Sequence, residues 1–293
     1  MTTNSFSLPH PVPRELKTIR TGFRLLSAIT PNIAGKIALN LFLTPHRHSV
    51  SQKTRPIFAQ AKAVNISHGS RQLAAYVWGT DGPTVLLVHG WESNASRMRG
   101  FIRPLRQQGF RGIAFDAPAH GNSTGKQTNL VDYSGAIQSV IAQLGPVEGI
   151  VAHSFGAATS LLMLSRTPQI GVKCTVTIGS PSDPDKMVDV WTSTLRLRQP
   201  IIERMRQRLV DRVGVPFASL VVATAVANLT LPGLIIHDKQ DSIVPYAEGA
   251  AIARQWSTAD LVTTEGLDHR GALRDPKMIR QIGAFLASHI EIP

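Results

Sequence analysis

The period of the hydrophobic positions changes along the chain, and each change marks a change of architecture. Apolar residues first recur at helical spacing: Leu16, Ile19, Phe23 and Leu26, then Ile33, Ile37 and Leu41. Pro31 divides this stretch into two helices, because proline lacks the N–H that a continuous helix needs; Thr30 or Asn32 then lies near the second start. The two are expected to form a helical hairpin packed on the main domain. Arg20, Arg24 and Lys36 would also suit them to weak peripheral contact with an anionic membrane surface. Residues 44–55, rich in His, Ser and Arg, read as a linker.

From residue 61 the pattern turns to strand. Residues 62–66 and 72–77 flank His68-Gly69-Ser70, a hairpin signal. Residues 84–88 are apolar on both faces, which predicts a central strand covered on both sides by helices. Strand and helix then alternate. A helix near 96–108 precedes a strand at 111–115, a helix at 130–144 precedes 149–151, and a small-residue helix at 155–165 precedes 172–178. Short connections in such an alternation require a parallel, doubly wound sheet, since each parallel step needs a crossover. Beyond Ser180-Pro181 the rhythm stops, and residues 183–228 carry mostly helical periodicity, as a cap inserted over the C-terminal edge of the sheet would. The core resumes with a strand ending at His237, a helix at 247–256, a strand at 260–263 and a last helix at 276–289. The division implied is an N-terminal helical extension and linker (1–55), a core (56–182 and 230–293) and a helical cap (183–229).

Composition narrows the classes. The 293 residues are 43% hydrophobic, enough for a sizeable core. The lone Cys174 lies in an apolar strand, which rules out an internal disulfide and fits a reducing compartment. No basic segment leads into a continuous apolar stretch, and no window reaches the ~20 apolar residues of a spanning helix, so a soluble, cytoplasmic protein is expected. The net charge of +12 is spread thinly, without interleaved aromatic residues, which argues against a nucleic-acid partner. Its local enrichment in the cap (Arg196, Arg198, Arg204, Arg206, Arg208 and Arg212) reads as a solvated face, or as a guide for an anionic substrate. Neither a metal-ligand spacing nor a phosphate loop after a strand is present, so no cofactor is expected.

Candidate chemistry concentrates where strands end. Ala152-His153-Ser154-Phe155-Gly156 follows the strand at 149–151 and opens a helix. A serine in so tight a turn needs small neighbours, because strand and helix approach closely and the backbone is strained. The string resembles the Gly-x-Ser-x-Gly nucleophile elbow of the α/β-hydrolases, with Ala152 in place of the first glycine. Asp116-Ala117-Pro118-Ala119-His120-Gly121-Asn122-Ser123 resembles that family's Asp-x-Pro-Gly-His-Gly-x-Ser turn, with Ala119 in place of a glycine. His89-Gly90-Trp91 resembles its oxyanion loop, and all these pieces occur in the family's order.

The resemblance implies an α/β-hydrolase fold: a mostly parallel central sheet flanked by helices, here with a helical cap insertion and an N-terminal helical extension. It implies Ser154 as nucleophile. The family's acid sits after a late strand and before a Val-Pro pair, which falls on Asp241; Asp238, otherwise a brace of the turn, and Asp183 are the alternatives. The base would be His269, in Gly266-Leu267-Asp268-His269, which resembles the family's Gly-x-x-His loop; His153 flanks the serine but should point away from it. By position the oxyanion donors are the backbone N–H groups of Trp91 and Phe155. The Trp91 indole would line the acyl pocket or serve packing, and His89, Asp116 and His120 read as structural. The implied reaction is hydrolysis of a small-molecule ester or thioester through an acyl-enzyme, without a cofactor. Acyl transfer is chemically adjacent, and a binding protein that retains the fold without turnover is the alternative from another class.

Overall fold

The computed structural model describes residues 13–49 and 54–292. Its strands are β1 (Lys62–His68), β2 (Arg71–Trp78), β3 (Thr84–Val88), β4 (Arg111–Phe115), β5 (Gly149–His153), β6 (Cys174–Ile178), β7 (Gly233–Asp238) and β8 (Ala259–Thr264). They form one sheet in the order β1-β2-β4-β3-β5-β6-β7-β8. β1 and β2 form the expected antiparallel hairpin, and β2 pairs antiparallel with β4, Ala75 opposite Phe115. Every later pairing is parallel.

Two-sided burial explains the apolar strands. Alternation along β3 sends Leu86 and Val88 to one face and Val85 and Leu87 to the other. On the first face they meet α4 (Leu130–Leu144) and α5 (Phe155–Arg166), and on the second α3 (Arg99–Gln107) and the C-terminal helix Pro276–His289. All five residues of β3, β5 and β6 are buried, including Cys174, whose thiol burial pushes up to about 12.

Between β6 and β7 the chain leaves the sheet for α6 (Pro184–Thr194) and α7 (Gln199–Val213). Buried Glu248 on α8 (Tyr246–Gln255) anchors this departure: it accepts from the Ser182 N–H (3.0 Å), the Ser182 hydroxyl (2.5 Å) and the Lys186 ammonium (2.6 Å). Three donors compensate the cost of removing the carboxylate from water.

The N-terminal segment forms α1 (Pro13–Ile29) and α2 (Pro31–Leu43), broken where proline requires; the Pro276–His289 helix is α9. The structure corrects where the pair rests. Phe23, Ala34, Ala38, Leu39 and Leu43 join Val188, Ile201, Met205 and Leu209 in one hydrophobic cluster, so the hairpin packs on the inserted helices. Gly35 permits the approach, since a Cβ there would stand 2.7 Å from that of Arg204. Of the 1–55 segment, residues 1–12 and 50–53 lie outside the described ones. The expected linker is pinned rather than loose: the Arg47 guanidinium donates to the carbonyls of Gly121 and Ser123 (both 2.7 Å) and of Gly125 (2.6 Å).

Candidate active site

Ser154 joins β5 to α5 with φ 54° and ψ −126°, a conformation costly for any residue with a side chain. Its surroundings enforce it. The Ser154 N–H donates to the Ile178 carbonyl on the next strand (2.8 Å). A Cβ on Gly156 would fall 2.1 Å from the His89 carbonyl oxygen, and one on Gly90 would fall 2.9 Å from Ser154 Cβ. Glycine is therefore required at both. Ala152, in contrast, directs its methyl into the core and is fully buried, which is why the elbow accepts it. Phe155 is the first residue of α5, where backbone N–H groups precede any intrahelical acceptor.

The structure brings Ser154, His269 and Asp241 together from three strand ends. His269 Nε2 lies 2.9 Å from Ser154 Oγ, and its Nδ1 lies 2.7 Å from Asp241 Oδ2. A carboxylate can only accept, so Nδ1 carries the hydrogen and Nε2 presents its lone pair to the hydroxyl. Asp241 is itself oriented: Oδ1 accepts from the N–H groups of Ile243 (2.9 Å) and Val244 (2.8 Å). Gly179, at φ 59°, leaves room for the pair, since a Cβ there would crowd His269 Nδ1 at 3.1 Å. The alternative acids have other work. Asp238 accepts from the Leu267 and Gln240 N–H groups and the Thr264 hydroxyl; burial opposes its charge, but these bonds hold its carboxyl below the ordinary range. Asp183 caps α6 by accepting from the Asp185 N–H (2.9 Å).

A second layer of histidines holds the loops around this corner. His153 points away from the hydroxyl, as expected, but it has a task that the sequence reading missed. Its Nε2 donates to the His269 carbonyl (2.9 Å), and the two rings lie 4.7 Å apart. Burial, then repulsion from His269, keeps His153 neutral by holding its pKa well below the ordinary value. The only sequence signal was adjacency to the serine. His89 donates from Nδ1 to the Gly90 carbonyl (2.7 Å) and accepts at Nε2 from the Ala117 N–H (3.0 Å). His120 donates from Nδ1 to Pro118 (3.0 Å) and accepts at Nε2 from the Glu92 N–H (3.1 Å). Both patterns need a neutral ring, and burial lowers the two to about 3 and about 4. The carboxylate of Asp116 takes the N–H groups of Ala95 (2.7 Å) and Asn122 (2.9 Å). Together these fix the 89–92 loop that carries Trp91.

Residues 85–281 match the family model described as the alpha/beta hydrolase family. The chain belongs to that family. Among curated relatives, it is 35% identical over 104 residues to a human serine hydrolase-like protein, covering 33% of this chain and 51% of that one. It is 28% identical over 173 residues to a serine hydrolase-like protein of Dictyostelium discoideum, covering 53% of this chain and 48% of the other. The chain thus spans about half the length of these relatives. Among solved structures, an esterase of Pyrococcus furiosus superposes with a TM-score of 0.67 at 22% identity, over 85% of this chain and 100% of that one. The thioesterase domain of a curacin biosynthetic pathway gives 0.58 at 17%, over 77% and 98%. Those two share the fold.

In this alpha/beta hydrolase a cavity of about 680 Å³ reaches Ser154 and His269. Its wall is mostly apolar and comes from all three parts of the chain: Phe42 from α2, Trp191 and Leu209 from the inserted helices, Trp91 and Phe155 from the core. Trp91 stands edge-on to Phe155, with ring centroids 5.2 Å apart, so the indole both lines the cavity and packs. The cap arginines do not enter it. Arg196, Arg198, Arg204, Arg208 and Arg212 are exposed, and Arg206 pairs with Asp185 and Asp189. The cations that do line the cavity are Arg97 and Arg270 from the core, with His46 and His48 beside them. Among the described residues no helix is long and apolar enough to cross a membrane, and no group of His, Cys, Asp and Glu is placed to hold a metal.

Proposed function

We propose that this alpha/beta hydrolase cleaves carboxylic esters or thioesters of small molecules, with Ser154 as nucleophile, His269 as general base and Asp241 as the residue that orients it. The reading rests on one observation: a serine hydroxyl, an imidazole and a carboxylate stand in hydrogen-bonded series at 2.9 and 2.7 Å beside an apolar cavity. Ser154 Oγ attacks the acyl carbonyl while its proton passes to His269 Nε2. The developing oxyanion takes hydrogen bonds from the N–H groups of Trp91 and Phe155, each worth roughly 3 kcal/mol in such sites. His269 returns the proton to the departing alcohol or thiol, and water repeats the sequence on the acyl-enzyme. An acceptor other than water would make the same intermediate a transferase. A division into core (56–182 and 230–293), cap (183–229) and N-terminal extension (1–55) accounts for a wall that unites distant segments.

The test combines a fluorophosphonate probe with p-nitrophenyl esters of graded chain length. Wild type should be labelled and should turn over esters of medium chain, and Ser154→Ala should do neither. An unlabelled wild type beside a labelled control hydrolase would favour the non-catalytic binding role.

A second observation supports peripheral membrane contact. Ile33, Ile37 and Leu41 recur at i, i+4, i+8 on α2 with exposures of 54, 37 and 45%, next to exposed Lys36, and Leu41 also lines the cavity. Such a stripe suits the surface of an anionic bilayer. Wild type should co-sediment with anionic vesicles more than an Ile33→Glu/Ile37→Glu variant; equal sedimentation removes this reading.

A further inference from the structure

The lining of the cavity is chemically divided. Phe42, Val188 and Leu209 offer nothing to an ion, whereas the cationic residues Arg97 and Arg270 line the same space as Ser154. Arg97 lies within the turn capped by Asn94 and is half-buried, while Arg270 directly follows His269 and is exposed. Neither forms a salt bridge among the described residues. Burial, and then repulsion from Arg270, Arg274 and Arg99, weakens the hold of Arg97 on its proton. Glu92 is the sole acidic side chain among the described lining residues, and its Oε1 accepts from the His46 N–H (3.1 Å).

Two arginines against the single carboxylate of Glu92 leave the lining with an excess of positive charge, which is unfavourable at half-buried Arg97 unless a ligand brings the opposite charge. An acyl chain cannot, and it already has the apolar wall. The group on the other side of the scissile bond is the part left to meet the arginines.

We infer that the leaving group carries a phosphate, held by Arg97 and Arg270, so that the substrate is an ester or thioester of an apolar acyl chain with a phosphate-bearing alcohol or thiol. Planar guanidinium forks match phosphate oxygens bidentately, and a dianion answers a cluster of cations better than a single carboxylate does. In the reaction, the acyl–Ser154 bond forms as the bond to the leaving oxygen or sulfur breaks. The proton from His269 goes to that atom, and the phosphorylated alcohol or thiol departs. This assignment rests on the acyl-enzyme reading for the orientation of the substrate, but its test does not need turnover.

Full-length Ser154→Ala is titrated calorimetrically with two matched pairs: S-octanoyl-4′-phosphopantetheine against S-octanoylpantetheine, and octanoylglycerol phosphate against monooctanoylglycerol. In at least one pair the phosphorylated compound should bind about tenfold tighter or more at low salt, and the advantage should shrink as salt is added. Preference within the first pair identifies a phosphorylated thiol, and within the second a phosphorylated alcohol. Adding Arg97→Gln and Arg270→Gln should bring the affinity ratio towards one. Arg270→Gln alone, at an exposed position, should lower it part-way should the double substitution fail to fold. Ratios near one in both pairs, a ratio that the substitutions leave unchanged, or no binding of any of the four overturns the inference. A salt-sensitive ratio in a protein whose wild type hydrolyses nothing would instead retain the phosphate site and discard the hydrolase.

Discussion

Replacing Asp241 by asparagine tests the proposed series of hydrogen bonds at its most constrained point. Asp241 Oδ1 accepts from two backbone N–H groups, at 2.9 and 2.8 Å, while Oδ2 accepts from His269 Nδ1 at 2.7 Å. An asparagine has one oxygen to share between these sites. Keeping it on the two backbone donors turns the amide NH₂ towards His269. Nδ1 must then accept, Nε2 must carry the hydrogen, and the imidazole can no longer take the proton of Ser154. Flipping the amide restores the productive tautomer but sets NH₂ against two buried donors. Losing two such bonds costs about 2–4 kcal/mol, which leaves roughly 0.1–3% of molecules competent at ~1.4 kcal/mol per tenfold. The expected kcat/KM on a p-nitrophenyl ester is therefore lower by about 30- to 1,000-fold. Loss of the negative charge that stabilises the imidazolium adds to this. The folded fraction is checked by circular dichroism. An Asp241→Asn protein that folds normally yet keeps more than a tenth of wild-type kcat/KM would refute the assigned roles.

Other outcomes follow from the same geometry. Gly156→Ala places a methyl 2.1 Å from the His89 carbonyl oxygen and should destabilise by about 2 kcal/mol or more, read as a fall in thermal midpoint. Ala119 holds φ 66°, where a Cβ is unfavourable, so Ala119→Gly should raise stability by about 0.5–1 kcal/mol in urea unfolding. His89 and His120 have folded pKa values near 3 and 4, below the ordinary value of 6.5, so the unfolded chain binds more protons in between. Stability should thus be intact above about pH 6.5 and fall as pH drops towards 4, by on the order of 1 kcal/mol per pH unit for each histidine. A flat urea midpoint between pH 7 and pH 5 would contradict this.

Much of the fold was legible because it is dictated locally. The apolar run 85–88 of β3 demands cover on both faces, Pro31 must end a helix, and a serine among small residues at a strand end demands a tight turn. Asp241 and His269 are singled out by their resemblance to the family's acid and Gly-x-x-His loops; in the structure both follow the last two strands, which parallel pairing brings alongside Ser154. Strand ends moved by a residue or two where pairing decided them: β5 runs on to His153 because that residue pairs with Ile178. What stayed hidden depends on contacts distant in sequence. Periodicity through Ile33, Ile37 and Leu41 marks the wrong face of α2: those side chains are exposed, and the face buried against Met205 and Leu209 carries Ala34, Ala38, Leu39 and Leu43. The tie from His153 to the His269 carbonyl leaves no pattern in either segment. The cap arginines drew attention by their density, while the two cations that reach the cavity stand singly, Arg97 in a turn and Arg270 after the histidine.

The shared cluster of the N-terminal helices and the inserted helices bears on how the protein is made. Leu39 and Leu43 leave the ribosome early, whereas their companions Met205 and Leu209 come from the far side of most of the sheet. At ordinary rates of synthesis the leading helices wait on the order of ten seconds with their apolar faces uncovered. The nascent chain therefore offers a chaperone an apolar target before Ser154 has been made, and the roof over the cavity can form while Asp241 and His269 are still to come.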